Sequence, residues 1–573
     1  MHSRINSIKI GLTIIALITM GRLFYWQVLS SDKLATLAES QRESVRMVPA
    51  DRGEILTSDG YALVTNQPVY TVFAYIPQLT APIQVISQQL APILLDTNNL
   101  DATESAKPVL VRLKEAQTSL LTKLAPSGDQ TWVPLKRRIA KDTKTAIEAL
   151  NIEGIGFDPD TTRFYPEASI SAQLLGFVGR DDVGDPQGYF GLEGFYNLEL
   201  TGRPGMVMEE KDAVGRPIII GAYQQTPGRP GRSLKLHLNR SLQHEVELAL
   251  KDGIEKYGAK SGEVVIMDPF TGAILAMAAL PSYDPATFNQ FDQELYKNPS
   301  IASAYEPGST FKTVIMAAAV NEAKITPDTI CDSTCDRPVT IGKYTIRTWN
   351  DKYYPGQTMR QVLERSDNTG MIFIARRLGS DKLQEYLDKF GFGHLTGIDL
   401  QEEVSAPLRT KWGDIDVATA SFGQGLAVTS IQMVRAVAAI ANGGHLVTPQ
   451  VVDQVEGAKT INIKPDLGPQ VISPETSKTV TDMMVSSAEH GDAHWAIPKG
   501  YTVAGKTGTA QIPVQGHYDA AKTIASFIGF APAEHPKFVM LVKLTEPTTS
   551  PWGSETAAPL WFHIASSALL LLK

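Results

Sequence analysis

The sequence is poor in cysteine and carries no excess of basic charge. Two cysteines in 573 residues are too few for a disulfide framework or a four-cysteine zinc site. The net charge of −8 gives no basic surface for nucleic acid, so we expect no nucleic-acid partner. With 43% hydrophobic residues the chain has the composition of a globular protein, and its length allows roughly three or four domains.

Long apolar runs are also scarce, and one near the N-terminus approaches the length of a membrane span. Residues 8–29 reach the roughly 20 residues that cross a bilayer if Arg22 extends toward an interface. A cleaved signal peptide and a buried core helix are the alternatives, but no small-x-small cleavage site follows, and the aromatic residues 24–26 suit a membrane interface. We therefore expect residues 1–31 to form a cytoplasmic N-terminus and one uncleaved anchor, with the rest of the chain outside the cytoplasm.

Changes of pattern divide the exported part. Residues 32–230 combine β-type segments with turns, and residues 86–150 are more helical and polar, as in an inserted subdomain. The Pro- and Gly-rich stretch 226–231 marks a boundary. Residues 231–573 have strand patterns at both ends around a helical middle, and the apolar run 560–572 predicts an amphipathic helix packed on a sheet. These patterns predict a multidomain α+β fold whose last domain builds one sheet from both its ends.

A serine and a lysine three residues apart form the first chemical motif. Ser309 and Lys312 precede an apolar helical run, and this spacing places both on one side of a helix, where the amine can reach the hydroxyl. A buried lysine near another cation favours its neutral form, which can take the serine proton. The alternative is that Ser309 only caps the helix. The motif alone is weak, because Ser30 and Lys33 repeat it beside the anchor.

The second motif is Ser366-Asp367-Asn368. A hydroxyl and an amide on one tight turn can relay a proton and hold a substrate amide. The alternative is a cap for the helix that follows. The variable middle residue, Asp367, is expected to contribute little.

The third motif, Lys506-Thr507-Gly508-Thr509, lies in a strand pattern. The edge of a strand can offer a cation, hydroxyls and backbone N–H groups to a substrate that bears a carboxylate, and Gly508 would let that substrate approach closely. The alternative is an ordinary strand glycine beside an exposed lysine.

In this order the three motifs resemble the active-site signature of penicillin-recognising serine acyltransferases. Residues 52–63, 163–179 and 191–202 resemble the three pedestal motifs of class B penicillin-binding proteins, so the resemblance covers nearly the whole chain. Residues 57–58 and 237–239 differ from those usual in this family, which suggests a divergent member. The resemblance implies a membrane anchor, an elongated β-rich pedestal over 32–230, and a transpeptidase domain over 231–573 with a central antiparallel sheet flanked by helices.

The resemblance also implies an activity, that of a peptidoglycan D,D-transpeptidase. Ser309 would be the nucleophile that forms an acyl-enzyme with a stem peptide, and Lys312 would be its base. Ser366 and Asn368 would help to protonate the leaving group and position the peptide, while Lys506 would tune the local field. Thr507, Gly508 and Thr509 would bind the substrate, and backbone N–H groups of Ser309 and Thr509 would form an oxyanion hole. No metal or organic cofactor is implied.

Partners and pathway follow from the same resemblance. The implied partners are peptidoglycan stem peptides, β-lactams as covalent inhibitors, the cell membrane and a separate membrane glycosyltransferase. Lys506-Thr507-Gly508 and the element 422–425 favour the division-associated branch. The alternatives are an elongation enzyme, a β-lactamase- or carboxypeptidase-like hydrolase, and a catalytically silent scaffold. Cys331 and Cys335 are as compatible with two free thiols as with a local disulfide.

Overall fold

A computed structural model describes residues 2–95, 107–125, 131–168, 170–182, 184–210, 223–497, 500–514 and 517–572. The strands are β1 (Glu43–Val48), β2 (Ile55–Leu56), β3 (Ala62–Tyr75), β4 (Trp132–Ile139), β5 (Ile155–Phe164), β6 (Phe177–Arg180), β7 (Pro186–Tyr189), β8 (Gly205–Glu210), β9 (Tyr223–Thr226), β10 (Ser233–Leu236), β11 (Ser261–Met267), β12 (Ile274–Leu280), β13 (Val339–Ile341), β14 (Tyr344–Ile346), β15 (His445–Val447), β16 (Val452–Glu456), β17 (Ile461–Asn462), β18 (Leu467–Gln470), β19 (Ala504–Val514), β20 (His517–Ala531) and β21 (Phe538–Thr545).

The α-helices are α1 (His2–Phe24), α2 (Ser31–Arg42), α3 (Ile83–Leu94), α4 (Val109–Leu124), α5 (Lys141–Glu148), α6 (Ala172–Leu175), α7 (Gly191–Phe195), α8 (Asn197–Leu200), α9 (Arg240–Tyr257), α10 (Pro299–Ala302), α11 (Lys312–Asn321), α12 (Met359–Glu364), α13 (Asn368–Leu378), α14 (Ser380–Lys389), α15 (Asp414–Ala420), α16 (Ser430–Ala441), α17 (Pro474–His490) and α18 (Ala557–Leu571). Short 3₁₀ turns cover Ile76–Gln78, Pro285–Gln290, Gln293–Tyr296, Gly308–Phe311, Ser333–Asp336 and His494–Ala496.

Two compact units share the chain, and the first consists of residues 1–52 and 202–231. Its helix α1 continues as a π-helix over Tyr25–Leu29. The helical stretch Ser3–Leu29 has a mean hydropathy of 1.6 and is long and apolar enough to cross a membrane. The guanidinium of Arg22 lies 5.6 Å from the centre of the Trp26 ring. The same unit contains an antiparallel sheet in the order β1-β8-β9.

The second unit, residues 53–201 and 232–573, contains a seven-stranded sheet. Its order is β17-β16-β10-β2-β3-β4, and β5 also pairs with the long strand β3. Helices α3, α4 and α5 pack apolar side chains such as Leu90 and Leu124 against this sheet. The predicted subdomain 86–150 therefore shares a sheet with its surroundings, because β4 pairs with β3. Strand β10 pairs in parallel with β2, so the sheet also crosses the predicted boundary at residue 230.

The sheet that carries the third motif is antiparallel and has five strands in the order β12-β11-β21-β20-β19. Its strands come from both ends of residues 231–573, which confirms the predicted assembly. Helices α9 and α18 cover one face, where Trp561 and Phe562 are buried against Phe527. Helices α11 and α16 belong to the core on the other face. Strands β11 and β21 are buried over almost their full length because helices cover both faces.

The helical middle places the first two motifs. Helix α11 is buried from Lys312 through Ala319, as expected for a central helix surrounded by others. Cys331 and Cys335, whose pairing the sequence left open, form a disulfide with Cα atoms 6.1 Å apart. This disulfide closes a short loop around the 3₁₀ turn Ser333–Asp336.

Candidate active site

All three motifs meet at one cleft of about 310 Å³. The 3₁₀ turn 308–311 and residues 366–368, together with Lys312 that bonds to Ser366 and Asn368, form one side, which we call the helical wall. Residues 506–509 of β19 form the other side, the strand wall. Lining residues are Gly308, Ser309, Trp349, Ser366, Asn368, Phe422, Gln424, Asp492, Trp495, Thr507, Thr509, Trp552, Ser554 and Glu555.

Ser309 is half-buried in the 3₁₀ turn that leads into α11. Its side chain does not cap the helix, so the capping alternative has no support here. The turn is held by a close approach between two glycines: the Gly308 N–H donates to the Gly423 carbonyl at 3.0 Å. A Cβ on Gly423 would lie 2.1 Å from the Gly308 oxygen. Both glycines have positive φ, which glycine adopts without the cost that a side chain imposes.

Lys312, the first residue of α11, is fully buried. Its Nζ is 2.7 Å from the Ser366 carbonyl oxygen, 2.8 Å from Asn368 Oδ1 and 3.3 Å from Ser366 Oγ. Among the described residues, the hydrogen bonds of Nζ run to the second motif and none runs to Ser309. The first two motifs are therefore joined directly through the lysine.

A neutral amine has two N–H donors and one lone pair. The Ser366 carbonyl and Asn368 Oδ1 can only accept, so they take both donors. The lone pair of a neutral Lys312 then stays available to receive a proton from a hydroxyl.

The Ser366-Asp367-Asn368 turn requires an unusual backbone. Ser366 has φ +53°, in the left-handed region that costs a residue with a side chain about 1–3 kcal/mol. Asn368 is fixed from its other side, because its Nδ2 donates to the Arg347 carbonyl at 3.0 Å. The turn thus presents two acceptors to Lys312 and one hydroxyl to the cleft.

Asp367 contributes more than the sequence suggested. Its carboxylate is buried and caps α13 by accepting from the backbone N–H groups of Thr369 at 2.7 Å and Gly370 at 3.1 Å. The capping alternative for this motif thus holds for Asp367, while Ser366 and Asn368 face the lysine.

The strand wall alternates as a half-buried strand does. Thr507 and Thr509 line the cleft, while Lys506 and Gly508 are buried. Lys506 Nζ lies 3.1 Å from both the Thr507 carbonyl oxygen and Thr507 Oγ1. Strand β19 is the edge of its sheet, so part of its backbone remains unpaired by strands.

The glycine of the third motif has a packing reason in the structure. A Cβ on Gly508 would lie 2.5 Å from Ser526 Oγ and 2.8 Å from Thr310 Cγ2. Thr310 belongs to the turn that carries Ser309, so Gly508 lets the two walls of the cleft approach each other.

Burial and charge act on the two lysines together. Burial lowers the pKa of Lys506 to about 8, although Asp492 opposes the shift. Burial, reinforced by the positive charge of Lys506, holds the pKa of Lys312 well below its usual value, and Asp367 opposes this. Burial and the charge of Lys506 thus both favour the neutral form of Lys312.

Several lining residues were not singled out from the sequence. Asp492 and Trp495 follow α17, and Trp552 and Glu555 lie between β21 and α18. Trp349 and Trp552 contact each other edge to face, with ring centroids 5.1 Å apart. These residues lie in loops or, for Trp495, in the short 3₁₀ turn His494–Ala496. No periodicity or short motif in the sequence marks them. No group of three or more metal-ligating side chains occurs in the described parts of the chain.

Comparison with known proteins gives two family matches. A model described as the penicillin binding protein transpeptidase domain matches residues 262–566, and one described as the penicillin-binding protein dimerisation domain matches residues 47–236.

Individual relatives match over nearly the whole chain. Stage V sporulation protein D of Bacillus subtilis is 35% identical over 566 residues, which cover 97% of this chain and 84% of that protein. Peptidoglycan D,D-transpeptidase FtsI of Escherichia coli is 29% identical over 555 residues, covering 96% and 88%. The crystal structure of penicillin binding protein 2X from Streptococcus thermophilus superposes with a TM-score of 0.74 at 24% identity, covering 92% of this chain and 81% of that one, and shows the same fold.

Proposed function

Because the chain belongs to the class B penicillin-binding proteins and is a serine-type peptidoglycan D,D-transpeptidase, we propose that it cross-links stem peptides through an acyl-enzyme on Ser309. The observation that supports this most strongly is the environment of Lys312. Its donors are taken by the Ser366 carbonyl and Asn368 Oδ1, and its charged form is disfavoured by burial and by Lys506.

In the acylation step, Ser309 Oγ attacks the carbonyl carbon of the D-Ala-D-Ala bond while its proton passes to Lys312 Nζ. Backbone N–H groups of Ser309 and Thr509 stabilise the negative oxygen of the tetrahedral intermediate, and losing one such donor typically costs roughly 100- to 1000-fold in rate. The C–N bond then breaks, and the leaving D-Ala amine takes the proton through Ser366 Oγ, which lies 3.3 Å from Lys312 Nζ.

In the second step, an amine of a neighbouring stem peptide attacks the ester. A new peptide bond forms, the ester C–O bond breaks, and Ser309 regains its proton. Thr507 and Thr509 line the cleft where they bind the terminal carboxylate region, and Asn368 positions the peptide amide. β-Lactams acylate Ser309 as mimics of the dipeptide.

The test is the variant Ser309→Ala. We expect it to lose labelling by a fluorescent penicillin and cross-linking of stem peptides while keeping the wild-type melting temperature. Thr313→Ala, one helical turn further along buried α11, is the matched control and should still be labelled. Labelling that persists in Ser309→Ala would remove Ser309 as the nucleophile.

The lifetime of the acyl-enzyme separates transfer from hydrolysis. A transpeptidase releases a bound penicillin slowly, whereas a β-lactamase-like hydrolase turns it over rapidly. Rapid release of the label would favour the hydrolase. A chain that is folded but never labelled would favour the scaffold.

We further propose that the enzyme is anchored in the cell membrane by Ser3–Leu29, with its N-terminus cytoplasmic and its catalytic part outside, beside a separate membrane glycosyltransferase. The apolar helix and the basic residues Arg4 and Lys9 at its N-terminal end support this orientation. A cysteine placed at residue 3 should resist an impermeant thiol reagent in intact cells, whereas one at the exposed position Gln290 should react.

We assign the enzyme to septal synthesis during division, on the Lys506-Thr507-Gly508 motif and the element 422–425. A second candidate is a role in sporulation, favoured by the name of the Bacillus subtilis relative. A tagged chain at the septum of dividing cells supports the first. A signal along the lateral wall supports an elongation role, and a signal confined to sporulating cells supports the second candidate.

A further inference from the structure

Gln357 is buried next to the second motif, and no part of the proposed mechanism uses it. Its side chain is 2% exposed, and its Nε2 donates to Asp367 Oδ2. The other oxygen, Asp367 Oδ1, accepts from the Thr369 backbone N–H and hydroxyl, both at 2.7 Å, and from the Gly370 N–H. In the part of the chain that the structure describes, Gln357 is the hydrogen-bond partner of Oδ2.

A carboxylate is more than the helix cap needs. Serine or asparagine would satisfy the same backbone N–H groups, and burying a charge is costly unless every oxygen is paired. Oδ1 alone completes the cap of α13. The charge on Asp367 and the donor from Gln357 therefore need another explanation.

The directions in which the residues of the Ser366-Asp367-Asn368 turn face explain the charge and its donor. Ser366 and Asn368 face Lys312, whereas Asp367 between them faces Gln357. Since the three residues are consecutive, fixing the Asp367 carboxylate fixes the left-handed turn at Ser366 and hence the two acceptors for Lys312. The Asp367 charge also acts on the lysine through space, opposing the charge of Lys506.

Gln357 is itself held from two sides. The backbone carbonyl of Gln357 accepts from the Cys331 N–H at 2.9 Å, and its side-chain Oε1 accepts from Arg365 Nη1 at 3.3 Å. The Arg365 guanidinium lies 4.2 Å from the centre of the Tyr354 ring. Both polar ends of the glutamine side chain are thus used, which leaves its amide one orientation.

We propose that Gln357 and Asp367 form a positioning pair for the transpeptidase centre, which sets the turn that holds Lys312 as a base. The pair touches no reacting atom. The proposal rests on Ser309 and Lys312 acting as the nucleophile and base described above.

The test uses the full-length chain in detergent and measures the second-order rate constant for acylation by a fluorescent penicillin. Gln357→Leu keeps the volume but removes the donor, and we expect the constant to fall on the order of tenfold, as for the loss of a hydrogen bond to a charged group. Gln361→Leu, four residues away, removes a capping-box partner of α12 without touching Asp367. This matched control should stay within about twofold of wild type.

Rescue distinguishes positioning from stability. Asp367→Asn keeps the cap but removes the buried charge that needs Gln357, so the double variant Gln357→Leu/Asp367→Asn should acylate faster than Gln357→Leu alone. A double variant whose loss is the product of the two single losses overturns the proposal. So does a Gln357→Leu chain that matches wild type or falls only as far as the control.

The single variant Asp367→Asn gives an independent readout if Gln357→Leu does not fold. Lys312 is faced by the charges of Lys506 and Asp367. Removing the negative one lowers the pKa of Lys312, so the acidic limb of the acylation profile should move to lower pH. A limb that does not move overturns the proposal. Persistent labelling of Ser309→Ala would instead overturn the proposed function.

Discussion

The two walls of the cleft each carry one buried lysine, but they are built differently. The helical wall depends on side chains: Lys312 bonds to Ser366 and Asn368, and Asp367 bonds to Gln357. The strand wall depends on backbone register, in which β19 pairs with β20 from Ala504 to Val514, and Lys506 bonds only to its neighbour Thr507 among the described residues. Single substitutions on the helical wall should therefore slow mainly the chemical step. Those on the strand wall should change mainly the electrostatic field at Lys312 or the binding of substrate.

The largest effect on the rate of acylation is expected from a substitution of Lys312. Lys312→Met keeps a buried chain of similar length but removes the proposed base, and general-base catalysis contributes typically 10²- to 10⁴-fold. We expect penicillin acylation to slow by about a thousandfold, measured from the rate of fluorescent labelling. Some thermal stability should also be lost, because the Ser366 carbonyl and Asn368 Oδ1 no longer have the lysine as donor. An effect no larger than that at Lys506 would remove the distinction between the walls.

A smaller effect with a characteristic pH dependence is expected at Lys506. Its positive charge helps to hold the pKa of Lys312 down, so Lys506→Met raises that pKa. Because the neutral amine is the proposed working form, the acidic limb of the acylation profile moves to higher pH, with about a tenfold loss for each unit on the limb. Lys522→Met, which removes an exposed charge from β20, is the control and should leave the limb in place.

The profile of Lys506→Met also sharpens the role of the lysine. A rate that returns to the wild-type value at high pH indicates that Lys506 only tunes the field. A rate that remains low across the profile indicates that it also binds the substrate. The opposite shift expected for Asp367→Asn would show that the two walls act on Lys312 with opposite signs.

Sequence patterns predicted the motif residues of both walls but not the residues that support them. The helical spacing of Ser309 and Lys312 and the strand pattern around Lys506 are local features, so they could be predicted. The sheet assembled from both ends of the last domain and the packed C-terminal helix followed from apolar patterns and were confirmed.

The parts that could not be predicted are non-local. The bond between Gln357 and Asp367 joins two loops that no periodicity connects. The parallel pairing of β2 with β10 brings together segments far apart in the chain, so no boundary signal near residue 230 could show that one sheet crosses it. The left-handed turn at Ser366 is held by its surroundings rather than by a residue type that favours it.

The smallest effect, a change in thermal stability, is expected at the contact between Trp349 and Trp552, beside the two walls. Trp349 donates its Nε1–H to the Arg365 carbonyl beside the helical wall at 3.2 Å, and Trp552 precedes Gly553, whose N–H donates to Thr509 Oγ1 at 3.0 Å. The edge-to-face contact of the two rings thus links the sides of the cleft, and such pairs contribute about 0.5–1.5 kcal/mol beyond burial. A double-mutant cycle with Trp349→Ala and Trp552→Ala, followed by thermal unfolding, should give a coupling energy in that range. Strict additivity of the two substitutions would show that the walls are joined only by packing at their base, through Gly508 and Thr310.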